Sequence, residues 1–175
     1  MFVTLTRRIF TGPAVAAVAM LAAGLVTTDA AQAADPFVLH ARGDDVEAVA
    51  RLVRLAQAGN ARAQGLLGFL YEQGRGVPQN FELAAMWYGC AAERGDVTAQ
   101  YLLGLLYDKG RGVPLDVVLS QKWLILAAAR AGPRDRDAYT RIRDAVATKM
   151  SESQRALAQA MATAWAPAPP APVRW

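Results

Sequence analysis

Residues 59–94 read GNARAQGLLGFLYEQGRGVPQNFELAAMWYGCAAER, and residues 95–130 read GDVTAQYLLGLLYDKGRGVPLDVVLSQKWLILAAAR. Aligned without a gap, the two stretches are identical at 18 of 36 positions. An ungapped internal period of this length is typical of architectures in which one small structural unit is stacked on its copy. The sequence therefore predicts two tandem repeats, at residues 59–94 and 95–130, at the centre of the chain.

Each copy has the pattern of a helix, a turn and a second helix. Asn60 and, in the second copy, Asp96 are N-cap residues, and apolar residues then recur at helical spacing as far as Tyr71. Gly74 can take the left-handed conformation that closes a helix, and Pro78 prevents an immediate restart. The pattern predicts an all-α fold, a short α/α-hairpin solenoid in which neighbouring hairpins bury each other's apolar surface.

The positions that the two copies share are mostly small or aromatic. Small residues allow helix axes to approach closely, and the aromatic residues fill the space that remains between hairpins. We therefore interpret these positions as packing and turn positions, not as ligand contacts: Ala63, Gly68, Tyr71, Gly74, Gly76 and Trp87 in the first copy, and Ala99, Gly104, Tyr107, Gly110, Gly112 and Trp123 in the second.

This pattern resembles the Sel-1-like repeat, a helical hairpin related to the tetratricopeptide repeat. The resemblance covers about 100 residues and rests on A-x-Q-x-L-L-G-x-L-Y, G-R-G-V-P and the later tryptophan and alanines. The second copy departs from the pattern at Ser120 and Leu124, where Ala and Tyr are usual. The resemblance implies a non-enzymatic scaffold for protein–protein contacts, of the type that many bacteria export, and it names no partner.

Residues 1–33 have the composition of a signal peptide. Arg7 and Arg8 form a positive start, an interrupted apolar run follows over residues 9–26, and Ala31-Gln32-Ala33 is a small-x-small cleavage site. We therefore predict cleavage after Ala33 and a periplasmic or secreted mature protein. A membrane anchor is the alternative, although Pro13 and the glycines that interrupt the run make it a weak span.

The export route is open between two readings. Thr6-Arg7-Arg8-Ile9-Phe10 resembles the twin-arginine motif, which marks proteins that are exported already folded. The alternative is an ordinary signal in which two arginines happen to be adjacent.

The helical repeat domain is predicted over residues 34–166, and its first part is a degenerate leading hairpin. Residues 36–41 read as a short helix, Arg42-Gly43 as a turn, and Asp44 or Asp45 as the cap of a helix that runs to Ala58. The predicted apolar face of that helix consists of Val46, Val49, Leu52, Val53 and Ala56.

Residues 133–166 read as a capping hairpin that covers the second repeat. A helix over residues 135–149 is predicted to place Ala138, Ile142, Ala145, Val146 and Met150 on its apolar side. Ser151-Glu152-Ser153-Gln154 is a capping box, and it opens a last helix whose apolar residues are Leu157, Ala158, Met161, Ala164 and Trp165. Residues 167–172 consist of proline and alanine, and we predict that residues 167–175 form a Pro-rich flexible tail.

The sequence has few of the residues that a metal site, a disulfide or a phosphate-binding loop requires. The chain has one histidine, His40, and one cysteine, Cys90, so a multi-histidine metal site or an intrachain disulfide cannot form. Cys90 reads as a small helix residue, with an intermolecular disulfide or a reactive thiol as the alternative. Gly74-Arg75-Gly76 lacks the strand and the Gly-Lys-Ser/Thr of a phosphate loop. We predict no cofactor, no metal and no catalytic residue.

The formal net charge is +4, and the arginines of residues 130–143 alternate with aspartates. This interleaving is typical of a solvated helix face, and with the predicted export it argues against a nucleic-acid partner. Weak attraction to anionic lipid headgroups or to an acidic protein fits the charge. The oligomeric state is left open.

A protein partner is predicted to bind the concave face formed by the first helices. The residues there differ between copies, as either a tuned binding surface or a surface freed from packing would: Arg62, Gly65, Phe69 and Glu72 in the first copy, and Thr98, Tyr101, Leu105 and Asp108 in the second. Arg75 and Arg111 are predicted at one edge of the stack, as contacts for an acidic partner or as solvated turn residues. Two alternatives stay open: an enzyme acting on cell-wall fragments through Glu72, Tyr101 and Asp108, and a self-associating structural element.

Overall fold

A computed structural model describes residues 35–169. Within this range every regular secondary-structure element is an α-helix, as predicted. The signal peptide predicted for residues 1–33 lies outside the described residues. No helix in the described range is long and apolar enough to cross a membrane. The helices are α1 (Pro36–Arg42), α2 (Asp45–Gln57), α3 (Ala61–Gln73), α4 (Phe81–Glu93), α5 (Val97–Lys109), α6 (Val117–Arg130), α7 (Arg136–Ala147) and α8 (Glu152–Thr163).

The helices of the two repeats begin and end where the sequence predicts. The side chain of Asn60 accepts a hydrogen bond from the Ala63 amide at 2.9 Å, and Asp96 does the same for Ala99 at 2.7 Å. Gly74 has φ 67° and forms the left-handed C-cap of α3. Because such caps satisfy backbone groups that a helix end leaves unpaired, they favour helix ends at these residues.

Each repeat is a hairpin whose two helices meet at a glycine. A β-carbon on Gly68 would lie 2.7 Å from the ring of Tyr88, and one on Gly104 would lie 2.9 Å from Leu124. Tyr88 and Leu124 are completely buried at these contacts. The glycine therefore allows a large side chain of the second helix to lie directly on the backbone of the first.

The turn of each repeat packs against the preceding layer. A β-carbon on Gly76 would lie 2.5 Å from the backbone of Asp45, at the start of α2, and one on Gly112 would lie 2.1 Å from the carbonyl oxygen of Phe81, at the start of α4. Both glycines also have positive φ angles, 72° and 67°. The turn occupies the same position in both copies. Its close contact with the preceding layer therefore fixes how each hairpin sits on that layer.

A buried amide also joins each pair of layers. The side chain of Gln64 donates to the Ala56 carbonyl at 2.8 Å, and that of Gln100 donates to the Ala92 carbonyl at 3.1 Å. Each bond adds a second donor to a carbonyl in the last turn of the preceding second helix, which also accepts from the amide of Gly59 or Gly95. One period later the chain has Arg136, which donates to the Ala131 carbonyl at 3.1 Å. α7 is therefore also tied to the C-terminal end of the preceding helix, through a different side chain and a carbonyl three residues further along.

The leading segment has the predicted helices, with one correction to the face of α2. Val46 was predicted to be on the apolar side but is 74% exposed, and Ala48 is completely buried there. The N-cap of α2 is Asp44, which makes no capping bond with its side chain. The neighbouring Asp45 turns its carboxylate inward, towards α1 and the turn of the first repeat.

The closing helices α7 and α8 both pack mainly against α6 and much less against each other. Leu124 of α6 forms a buried cluster with Val146, Met150 and Ala158, so the predicted lid over the second repeat is present. The Ser151 capping box is also present, with both of its hydrogen bonds.

Two faces of the closing helices were predicted incorrectly. Leu157 is 54% exposed and Ala145 is also exposed, while Tyr139 is buried. The reason is that each helix packs mainly against α6, so that only a narrow side of it is covered.

The chain beyond α8 runs extended across the end of α4. The indole of Trp165 donates to Glu93, and the amide of Ala168 donates to the Glu93 carbonyl. The beginning of the predicted tail is therefore held against the repeats, and residues 170–175 lie outside the described residues.

Candidate interaction groove

The first helices of the two repeats enclose an open groove of about 320 Å³ between α3 and α5, with α1 at one side. Most of its lining is apolar or aromatic, with one basic and one acidic side chain among the polar residues. The groove is lined by Phe37, His40, Arg62, Gly65, Leu66, Phe69, Tyr88, Asp96, Thr98, Ala99 and Leu102. We call it the interlayer groove.

Gly65 keeps the interlayer groove open. A β-carbon there would make ordinary van der Waals contact with Asp96, at 3.6 Å, so the position is not closed by packing. The equivalent residue of the second copy is Tyr101, whose ring stacks on Tyr139 of α7 with centroids 4.0 Å apart and planes 5° apart. The space between α3 and α5 is therefore open to a bound side chain, whereas the space between α5 and α7 is filled by the rings of Tyr101 and Tyr139.

The walls of the groove are held by contacts between aromatic rings and charged groups. The Arg62 guanidinium lies 4.0 Å from the centroid of the Phe37 ring, in cation–π geometry. His40 meets the edge of Phe69 with ring centroids 6.1 Å apart. These contacts orient an arginine and two aromatic rings towards the groove from α1 and α3.

Asp45 joins the leading segment to the first repeat behind this wall. One of its carboxylate oxygens lies 2.6 Å from His40 Nδ1, and the other accepts from Arg75 Nε at 2.7 Å. Burial raises the pKa of Asp45, but the hydrogen bonds from His40 and Arg75 lower it by more, so that this pKa lies below its usual range. The ionised carboxylate therefore holds His40 in place at the groove.

The predicted site residues fall into two groups. Arg62, Phe69 and Thr98 line the interlayer groove together with Gly65. Leu105 is half-buried and is not among the residues that line the groove. The partner-binding role of these residues stays a prediction.

The remaining predicted residues contact other parts of the chain. Glu72 accepts from the Tyr88 hydroxyl at 2.7 Å, and burial together with this carboxylate raises the pKa of Tyr88. Asp108 is paired with Lys149 beyond α7, at 2.7 Å. Together with the stacked Tyr101, these contacts hold Glu72 and Asp108 in separate places, and the three do not form one polar cluster.

The two turn arginines reach the preceding layer. Arg75 is bonded to Asp45, and the Arg111 guanidinium lies 5.6 Å from the centroid of the Phe81 ring. Both side chains therefore contribute to stacking, a role that the sequence interpretation as a partner contact or a solvated turn residue did not include.

Sequence reasoning missed the contribution of the leading segment to the groove. Phe37 and His40 of α1 line it, and no repeat pattern extends to that helix. Leu66 and Leu102 also line the groove and were not among the predicted site residues. The groove itself could have been predicted from the difference between Gly65 and Tyr101. A small residue in one copy and a large one at the equivalent position of the other indicate that the two interlayer spaces differ in size.

The described residues offer little for catalysis. Among residues 35–169, no three His, Cys, Asp or Glu side chains are grouped as metal ligands. Cys90 is half-buried, and burial raises the pKa of its thiol, which disfavours the reactive thiolate. What the groove offers is shape, apolar area and a few hydrogen-bonding groups, and these suit binding.

A family model for the Sel1 repeat matches residues 61–96 and 97–131. The chain contains two Sel1 repeats. The matched boundaries differ from the predicted ones by one or two residues, so the same two repeats are divided at slightly different points. Sel1 repeats generally mediate protein–protein interactions and typically serve as non-enzymatic scaffolds.

Two solved structures show the same architecture. A Sel1 repeat protein from Oxalobacter formigenes is 38% identical, with a TM-score of 0.52, over 54% of this chain and 39% of its own. A protective antigen of uropathogenic Escherichia coli strains, described as displaying an SLR fold, is 28% identical, with a TM-score of 0.67, over 79% of this chain and 31% of its own. The chain thus spans less than half the length of each. No curated protein is significantly similar to it.

Proposed function

We propose that this Sel1 repeat protein is a non-enzymatic interaction scaffold or regulatory adaptor of the periplasm or cell envelope. It binds a protein partner on the concave face of its first helices, at the interlayer groove. The proposed location rests on the signal-peptide pattern of residues 1–33. The proposed binding role rests on the repeats and the groove.

The observation that carries the proposal is the open space beside Gly65. In the next interlayer space, the stacked rings of Tyr101 and Tyr139 occupy the position equivalent to this opening. Beside Gly65 the rings of Phe37 and Phe69 and the side chain of Leu66 are instead only partly buried, around a cavity large enough for one bulky side chain. A partner that inserts an apolar anchor there would bury surface that the free protein exposes.

The groove has polar groups at its rim for orienting such a partner. Arg62 is exposed and Thr98 is exposed, while Asp96 is half-buried and already caps α5. A partner segment with an apolar anchor and a neighbouring acidic or carbonyl group would satisfy Arg62 without displacing the cap.

Filling the groove tests the proposal. Gly65→Tyr places in the first copy the residue that the second copy already has, and the β-carbon fits without a clash. Gly89→Tyr on α4 is the matched control, because no atom lies within 4 Å of its β-carbon. We expect quantitative cross-linking from periplasmic extract to lose the specific partner with Gly65→Tyr and to retain it with Gly89→Tyr. Equal recovery with both variants would exclude the groove as the binding surface.

The location has a separate test. We expect the mature protein recovered from the periplasmic fraction to begin at Ala34, as measured by mass spectrometry of its N-terminal peptide. A protein retained in the membrane with Met1 intact would show that the location is wrong, without bearing on the groove.

A further inference from the structure

We propose that the second-helix side of the stack carries a docking site for an extended Trp-Ala-Pro-Ala-Pro segment, filled by the chain's own residues 165–169 and able to accept the same segment from a second copy. The site is formed by Glu93 at the end of α4 and by Lys122, Trp123 and Arg130 of α6. It is separate from the interlayer groove, which the first helices form.

Glu93 receives the segment through two different acceptors. Its carboxylate accepts from the indole Nε1 of Trp165 at 2.9 Å, and its backbone carbonyl accepts from the amide of Ala168 at 2.6 Å. The carbonyl belongs to the last turn of α4, where the helix leaves such groups without an internal partner. One residue therefore binds both the side-chain anchor and the main chain of the segment.

The sequence of the segment matches this arrangement. Pro167 and Pro169 have no backbone N–H, so Ala168 supplies the one amide donor of residues 167–169, and that donor is used. Proline also restricts the unbound segment to extended conformations, which reduces the entropy that docking costs. The segment is thus suited to docking with few contacts.

The walls of the site hold the tryptophan and the carboxylate. The Arg130 guanidinium lies 5.4 Å from the centroid of the Trp165 ring, and Lys122 Nζ lies 3.8 Å from Glu93 Oε1. Lys122 also lies over the Trp123 ring at 3.9 Å. One cation therefore lies beside the carboxylate and on an aromatic ring, and a second cation lies beside the half-buried indole.

The site is specific to this joint of the stack. One period earlier, the residues equivalent to Glu93 and Lys122 are Gln57 and Met86, which lack the two charges. One period later, the residue equivalent to Glu93 is Ala129. Glu93 and Lys122 are therefore not part of the repeat pattern, whereas Arg130 has Arg94 as its equivalent in the first copy. The ion pair of the site thus belongs to this joint alone among those compared.

Vacating the site in the full-length chain tests the proposal. Trp165→Ala removes the indole anchor, and Leu157→Ala on α8 is the control, because Leu157 is exposed and away from these contacts. The probe is the acetylated peptide Ala-Trp-Ala-Pro-Ala-Pro, which covers residues 164–169, titrated into isotope-labelled protein. We expect saturable NMR shifts of the amides of residues 93–95 in Trp165→Ala, with a Kd at least tenfold lower than in Leu157→Ala or the unchanged chain.

The Glu93→Ala substitution tests the residue that receives the segment. Alanine is the residue found at the equivalent position one period later. Combined with Trp165→Ala, Glu93→Ala should weaken peptide binding at least tenfold, as should replacing the tryptophan of the peptide with alanine. Absence of saturable shifts, or equal affinity for the vacated and the unchanged chain, would overturn the proposal.

A second measurement covers the case in which Trp165→Ala does not fold. In the otherwise unchanged chain, Glu93→Ala should increase hydrogen exchange at the Ala168 amide at least tenfold, since the anchor that positions it is lost. Exchange of that amide at the rate of an unprotected peptide in the unchanged chain, or no change in the variant, would equally overturn the proposal.

Discussion

Gly112→Ala is expected to destabilise the protein, whereas Gly89→Ala is expected to stabilise it. Both changes add one methyl group to a glycine, but the two glycines have opposite surroundings. Gly112 has φ 67°, and its added β-carbon would lie 2.1 Å from the Phe81 carbonyl oxygen, while Gly89 lies within α4 with no atom within 4 Å of its β-carbon.

The magnitudes follow from two contributions at Gly112 and one at Gly89. An alanine in the left-handed region costs about 1–2 kcal/mol. Relieving the overlap requires the turn to move away from α4, which costs about 1–3 kcal/mol by analogy with overpacked cores. We therefore expect Gly112→Ala to lower the free energy of unfolding by about 3 kcal/mol. Gly89→Ala should raise it by about 0.5–1 kcal/mol, because glycine is a poor helix former.

Chemical denaturation followed by far-UV circular dichroism measures both changes. In Gly112→Ala, hydrogen exchange should also accelerate first at the start of α4, where the turn loses its contact. Stability within about 0.5 kcal/mol of the unchanged protein for Gly112→Ala would refute the reasoning, because the turn would then not be what fixes one layer on the next.

Three further predictions concern the joints of the stack. Tyr139→Ala should cost about 3 kcal/mol, from the lost burial and the lost stack on Tyr101, and Tyr139→Phe should cost less than about 1 kcal/mol; thermal unfolding of the two variants checks this. Gln100→Ala should cost about 1–3 kcal/mol, because it removes a buried hydrogen bond to the Ala92 carbonyl and leaves a cavity where the side chain was; urea denaturation measures this cost. Asp45 contributes stability above its unfolded pKa of about 3.9, and this contribution is lost as pH falls through its lower folded pKa. The denaturation midpoint of the unchanged protein should therefore fall more steeply below about pH 4 than that of Asp45→Asn, and parallel curves would exclude the linkage.

The sequence predicted the parts of the fold that depend on neighbours in the chain. The caps at Asn60 and Asp96, the glycine turns and the Ser151 capping box are local hydrogen-bonding arrangements, and all of them form as predicted. The helix faces at the two ends of the stack were harder. Val46 and Leu157 are apolar at helical spacing yet exposed, because no neighbouring helix covers that side.

The candidate site was predicted only in part for the same reason. Arg62, Phe69 and Thr98 could be placed on one face from the repeat, and they do line the groove. The stack of Tyr101 on Tyr139 joins residues from different units, and no pattern within one unit reveals it. The contribution of Phe37 likewise depends on where α1 docks, which is decided by contacts between distant residues.

The hydrogen bonds of Gln64, Gln100 and Arg136 have a consequence for the length of the protein. The three donors are one period apart, and each ties its helix to the C-terminal end of the layer before it. The two glutamines bond to equivalent carbonyls, and Arg136 of α7 bonds to the C-cap carbonyl of α6, three residues further along than the equivalent position. A duplicate of residues 59–94 inserted ahead of Gly59 should therefore lengthen the solenoid by one complete unit, and the existing C-terminal cover should still fit.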